Sequence, residues 1–180
     1  MNELTNLSPD IAFAIGLVGL APILARWTKI YFKLNLNFAA FGTQIVKLIK
    51  SDNMDRALKL CSVIPHAYGT GGVVAMLKAA EAGNSTRQML QTTWARAVES
   101  SRIQLRFMLL PSVIGLLLTL VPAAQVALLD AAVTWKNVGP AAAGLFMFGG
   151  SQMTASRMPK ATARMSEDII QALAEGGNQS

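Results

Sequence analysis

The sequence predicts an all-α membrane protein: three transmembrane helices with long cytoplasmic helical extensions, N-terminus outside and C-terminus inside. Three observations predict it. Of 180 residues, 52% are hydrophobic and only 14% charged, with a positive mean hydropathy, too apolar for an ordinary soluble domain of this size. Three stretches carry no charge: Ile11–Ala25 for 15 residues, Phe107–Leu129 for 23 and Asn137–Ser156 for 20. Finally, the 16 basic residues divide 15 to 1 between the two sides that three spans create.

Taken in chain order, residues 1–27 form an outer N-terminus and the first span. A helix needs about 20 apolar residues to cross roughly 30 Å of hydrocarbon, so this first stretch is short. Ser8-Pro9-Asp10 extends it as an N-cap with proline in the first turn, and Arg26 and Trp27 reach towards the opposite interface. A buried or re-entrant segment is the alternative. A cleaved signal peptide fits poorly, because the first ten residues contain Glu3 and Asp10 and no Lys or Arg.

Residues 28–106 form a cytoplasmic helical domain. The belt Arg26-Trp27-Thr28-Lys29-Ile30-Tyr31-Phe32-Lys33 mixes cations with aromatics, and the helical apolar rhythm beyond it predicts one long helix leaving the membrane. Ser51-Asp52-Asn53 caps a second helix to about Ile64, before Pro65 and the run Tyr68–Gly72 break the pattern. A short helix over Val73–Ala82 ends at Gly83. Ser85 with Gln88 is a capping-box signature, and the helix it starts is expected to run from Thr86 to Ala132, bent at Pro111 and Pro122.

Residues 107–156 form a transmembrane hairpin, and residues 157–180 a cytoplasmic tail with a short amphipathic helix from Ser166 to about Ala174. Gln125 and Asp130 mark the outer end of the second span. The third is rich in small residues, including Gly139, Gly144, Gly149 and Gly150, which let helix backbones approach closely in lipid. That face is therefore expected to pack against other helices.

Composition and spacing also exclude several functions. Single Cys61 rules out an intrachain disulfide, disfavours a cysteine metal site and reads best as a small buried residue. His66 lacks a nearby carboxylate or thiol, so a loop histidine is the better reading. The Gly69–Gly72 run lacks the Lys-Ser/Thr ending of a phosphate loop. Trp94 and Met89 read as core residues of the cytoplasmic helices. With no catalytic constellation, metal set or cofactor motif, the chain is expected not to be an enzyme. The sequence pI of about 9.8 reflects charge facing anionic lipid, since no aromatic-interleaved basic stripe points to nucleic acid.

The order of a short outer N-terminus, a span, a helical insert and a hairpin of two spans resembles the MotA/TolQ/ExbB proton-channel family, closest to TolQ/ExbB-like subunits. Leu48-Ile49-Lys50-Ser51-Asp52, then Ala57-Leu58-Lys59-Leu60-Cys61 and Pro65, looks like the family's cytoplasmic pattern. Ile114–Thr119 resembles its second-span signature, with Gly115 and Thr119 at matching spacing, and Gly144-Leu145 its third-span Gly-Leu pair. Lys136 and Ala141 stand where relatives carry Glu and Thr, while Leu118 and Pro122 replace glycines.

The resemblance implies a membrane subunit of an ion-motive-force-driven energy-transducing complex in the bacterial inner membrane. It implies a homo-oligomer, expected to be a pentamer, around a single-span ExbD/TolR-like partner that carries the proton-binding acid. Gly115, Gly139, Gly144, Gly149 and Gly150 would serve helix packing. Thr119 would line the proton pathway, or else bond back to the Gly115 carbonyl of its own helix. A non-conducting scaffold of the same fold and a small membrane transporter are the competing readings.

Overall fold

The computed structural model describes residues 8–129 and 133–176, and among them every element is helical. Asp130 therefore lies outside the described residues. In order come α1 (Pro9–Thr28), a π-helical segment (Lys29–Leu34), α2 (Phe38–Lys50), α3 (Met54–Val63), α4 (Thr70–Glu81), α5 (Arg87–Phe107), α6 (Leu109–Leu129) and α7 (Trp135–Gly176). They divide into two compact units. The first takes residues up to Tyr31 and Leu105–Thr154; the second takes Phe32–Gln104 and the chain from Ala155.

Two helical stretches, Pro9–Lys50 and Arg87–Ala127, are long and apolar enough to cross a membrane. Only 28% and 22% of their most apolar windows are buried within the chain. A soluble protein buries its core helices, so these surfaces need lipid or other helices around them. The predicted third span, the first half of α7, does not reach the same apolarity. Its four glycines, Pro140 and Ser151 add nothing to the hydropathy, and Asn137 and Gln152 subtract from it.

Local chemistry explains the boundaries. At the start of α1, the Ser8 side chain accepts a hydrogen bond from the Ile11 N–H at 3.4 Å, with Pro9 in the first turn. The long helix expected to follow is interrupted. Asn37 caps α2 by accepting from Ala40 N–H at 3.2 Å, an alternative that asparagine offers the backbone, so the helix stops and restarts. Up to Leu129, beyond which Ala131 and Ala132 also lie outside the described residues, the expected Thr86–Ala132 helix is likewise two helices, separated at Met108. Pro111 has no N–H to offer the Phe107 carbonyl four residues back, and the break falls directly after Phe107. α5 begins at Arg87, one residue too late for the Ser85–Gln88 box.

Glycine assignments also shift. α4 starts at Thr70 and not at Val73, because only Gly69 takes a positive φ, of 83°, while Gly71 and Gly72 are helical. Gly83, with φ 80°, follows the helix end as expected. At the C-terminal side, no gap separates the third apolar stretch from the tail: α7 runs unbroken for 42 residues through Pro159.

In the second unit the helices are amphipathic. α2 buries Phe38, Phe41, Gly42 and Ile45, spaced i, i+3, i+4 and i+7. The C-terminal part of α7 buries Met158, Met165, Ile169, Ile170 and Leu173 in the same rhythm. Burying one such side chain stabilises by about 1.5–3 kcal/mol, so this unit has a conventional core. Cys61 belongs to it, 1% exposed, and burial pushes its thiol pKa up to about 11. Exposed Arg87 donates to Glu167 across α5 and α7. Met89, expected in the core, is 49% exposed. Trp94 is half-buried and lies over Gly69 and Gly72.

Candidate functional site

The first unit holds the candidate site, where α1, α6 and α7 meet through small residues. A Cβ placed on Gly19 would lie 2.6 Å from the Gly115 carbonyl oxygen, and one on Gly115 would lie 2.5 Å from the Gly19 carbonyl oxygen. Backbone meets backbone, which no larger residue permits. One turn further on, a Cβ on Gly16 would stand 3.0 Å from both Pro122 of α6 and Pro140 of α7. Lys136 donates to Asp10 at 2.9 Å, so the beginnings of α1 and α7 share one end of this unit. Both partners are exposed, and such a pair adds about 1 kcal/mol at most.

Thr119 sits at the centre of the arrangement and is fully buried within the single chain. Its hydroxyl donates to the Leu116 carbonyl at 2.7 Å, three residues back and not the four expected for Gly115. Above it lies Gly144, whose missing Cβ would come 2.6 Å from Thr119 Oγ1. Ser112 and Ser151 are fully buried too, donating to Met108 at 2.7 Å and Phe148 at 2.8 Å. All three hydroxyls spend their proton on backbone carbonyls three or four residues back. Within one chain they form no relay from one to the next.

A polar layer lies at the other end of α1. Arg26, expected to reach the interface, turns inward instead and is 3% exposed. Its guanidinium donates to Gln152 of α7 and lies 5.4 Å from the centroid of the Phe148 ring. Arg26 Nε and Nη1 are buried and make no hydrogen bond among the described residues. Beside it, Thr154 donates to the Tyr31 hydroxyl at 3.1 Å, and Tyr31 lies 3.3 Å from the Gly150 carbonyl. Sequence reasoning missed this layer. A cation directly after a charge-free stretch, with Gln152 at the end of another, was its one available signal.

The five glycines singled out from the sequence thus separate. Gly115 and Gly144 face other helices of the same chain, and Gly150 faces Tyr31, its Cβ position 3.4 Å from the hydroxyl. Gly139 and Gly149 face outward: nothing lies within 4 Å of the Gly149 position, and only the Trp135 ring, at 3.9 Å, near Gly139. Gly16 and Gly19 join the packing set, although the sequence drew attention only to the second and third spans.

The outward face of α7 has an order of its own. Trp135, Gly139, Ala142, Phe146, Gly149 and Met153 are all exposed and follow one another at spacings of four, three, four, three and four. This is the 3.5-residue seam that helices use to interlock side chains. Bulky Trp135, Phe146 and Met153 alternate with the small positions, so the stripe offers knobs and notches together.

No group of three or more metal-ligating side chains gathers anywhere among the described residues. No protein-family model matches the chain, and no curated protein or solved structure is significantly similar to it.

Proposed function

We infer that the chain is a membrane subunit of an ion-motive-force-driven energy-transducing complex of the bacterial inner membrane. It assembles as a homo-oligomer, a pentamer on the family resemblance, around a single-span partner that carries the proton-binding acid. The observation that carries this reading is the outward seam of α7. A helix surface meeting only lipid gains nothing from sorting large and small residues into a heptad stripe, whereas a helix meeting another helix does.

In this reading α7 supplies the third span, the N-terminus is outside, and 15 of 16 basic residues lie inside against anionic lipid. The partner must bring the acid, since the charge-free stretches hold no ionisable group to relay a proton. Orientation is checked with single-cysteine probes: positions 5 and 133 should label from outside and position 78 should not. Assembly is checked with Gly149→Leu. It should reduce the detergent-solubilised particle from oligomer to monomer and leave thermal unfolding unchanged, because nothing lies within 4 Å of the added carbon. A monomeric unmutated protein, or an oligomer indifferent to the change, overturns the reading.

One observation favours the scaffold alternative. Thr119, the hydroxyl matched to the family's inner surface, is enclosed by Gly144 and bonded to its own helix. In vesicles containing the complex with its single-span partner, Thr119→Val should abolish proton flux if the hydroxyl serves the pathway. Unchanged flux removes that role, and no flux from the unmutated complex selects the scaffold.

A further inference from the structure

One cation of the first unit is buried without a counter-charge. Arg26 follows directly on the charge-free stretch of α1, yet only 3% of it is exposed. Gln152 accepts from Nη2, while Nε and Nη1, which carry most of the guanidinium's N–H donors, are buried and meet no acceptor among the described residues. The Phe148 ring, 5.4 Å away, offers its π face but no net charge. Among the described residues of this unit the one acid is Asp10, and it pairs with Lys136 at the opposite end. A buried charge left unpaired is strongly destabilising, so the counter-charge comes from outside the chain.

Depth and chemistry identify it. Trp27 packs against Tyr31, ring centroids 4.9 Å apart, and Lys29 and Lys33 follow within two turns. Aromatics mixed with cations mark the headgroup level, where a span leaves the hydrocarbon. Headgroups present phosphate oxygens there, and the guanidinium fork matches phosphate in two-point geometry. Tyr31, Phe148, Gln152 and Thr154 around the guanidinium are each half-buried, so the layer reaches the surface of the unit. Gln152 is a neutral amide on a flexible stem and can turn aside for an anion. One uncompensated positive charge matches a lipid with one net negative charge, in preference to a zwitterionic one whose ammonium cancels its phosphate.

We propose that Arg26, with Gln152 as its placeholder, binds the phosphate of one anionic phospholipid per chain. The exposed lysines meet a bilayer as a diffuse cationic surface, whereas this site is a single buried fork. It rests on α1 crossing a bilayer and is independent of the homo-oligomer and of its acidic partner.

The test uses the full chain in an uncharged detergent, with phosphatidylglycerol or phosphatidylcholine added and retention read by native mass spectrometry. The unmutated chain should hold one phosphatidylglycerol, and Arg26→Met should retain it about tenfold less, the loss of a charged hydrogen-bond pair. Lys33→Met, at an exposed cation of the same belt, should change retention less than about twofold. Thermal unfolding gives a second reading that does not depend on Arg26→Met alone. Phosphatidylglycerol should raise the unfolding temperature of Gln152→Leu by more than that of the unmutated chain, and that of Arg26→Met not at all. Equal losses in the two methionine variants, equal retention of the two lipids, no retention of phosphatidylglycerol, or equal temperature shifts in all three chains each overturn the proposal. Displacement of the lipid by excess inorganic phosphate reassigns the site to free phosphate and overturns it equally. So does Arg26-dependent capture of a transmembrane peptide carrying one aspartate in the lipid's place, which assigns the cation to a protein carboxylate. The same spectra count copies per particle, so a monomer that keeps its lipid refutes the homo-oligomer and supports this site.

Discussion

The two units use glycine in opposite ways. In the first, Gly19 and Gly115 bring two helix backbones into contact, and Gly144 admits Thr119. In the second, Gly69 and Gly83 supply positive φ at turns, and Gly72 makes room for the Trp94 ring. The difference is the one expected where the first unit lies in lipid, as proposed above, and the second in water. Where lipid takes the place of water, burying a leucine gains little, so helices associate through close approach and dispersion. Where water surrounds the helices, apolar burial supplies the energy, and glycine is needed mainly where the chain turns or a large ring must fit.

The sharpest way to break this comparison is at the polar layer of the first unit. Gln152→Leu leaves Arg26 without the acceptor it has, and a buried charge without a partner costs about 3 kcal/mol or more. Thermal unfolding in detergent should register that loss, while Arg26→Met, which removes the charge altogether, should be neutral or stabilising. Next in size is a matched pair of alanine substitutions. Gly115→Ala drives a methyl into the Gly19 backbone, which cannot turn aside, and should cost about 2–3 kcal/mol. Gly72→Ala meets the ring of half-buried Trp94, a side chain that can tilt, and should cost about 1 kcal/mol. Equal losses would erase the distinction between the units.

Smaller effects sharpen it from the other side. Gly71→Ala lies within α4 with nothing inside 4 Å, so it should raise the unfolding temperature, reflecting about 0.5–1 kcal/mol of helix propensity. Cys61 gives a pH signature. Burial raises its pKa from 9.0 to about 11, so the folded state holds the thiol proton more tightly than the unfolded chain. That contribution to stability is complete below pH 9 and is lost as pH rises towards about 11. Iodoacetamide should therefore label Cys61 slowly in the folded protein at pH 8 and rapidly in denaturant, and Cys61→Ala should flatten the alkaline decline.

Much of this architecture was legible in the sequence, for identifiable reasons. Helix starts set by a single side chain, such as Ser8 with Pro9, depend on neighbours three residues away and could be read directly. The two most apolar helices announced themselves by composition. Interruptions at Asn37 and Met108 were harder, because each depends on a close competition between a continuing helix and a local alternative. Composition also flagged the small residues of the third stretch, but not which neighbour each would meet. Gly144 and Gly149 are five residues apart and look alike in sequence, yet one faces Thr119 and the other faces outward. Gly19 was overlooked because its partner, Gly115, is 96 positions away. Arg26 was expected to extend to the interface, as long cations commonly do, and only tertiary packing with Gln152 and Phe148 shows it held inside.

The glycine contact between α1 and α6 has a mechanical side. Each carbonyl oxygen is so near the other helix that Cα hydrogens become its neighbours, and neither backbone can roll or slide without collision. The two helices act as one stiff strut. α7 meets α6 at Gly144 through the Thr119 side chain, which can change rotamer at modest cost. Of the two glycine contacts that α6 makes, then, the one with α1 is backbone on backbone and the stiffer, and the one with α7 yields first.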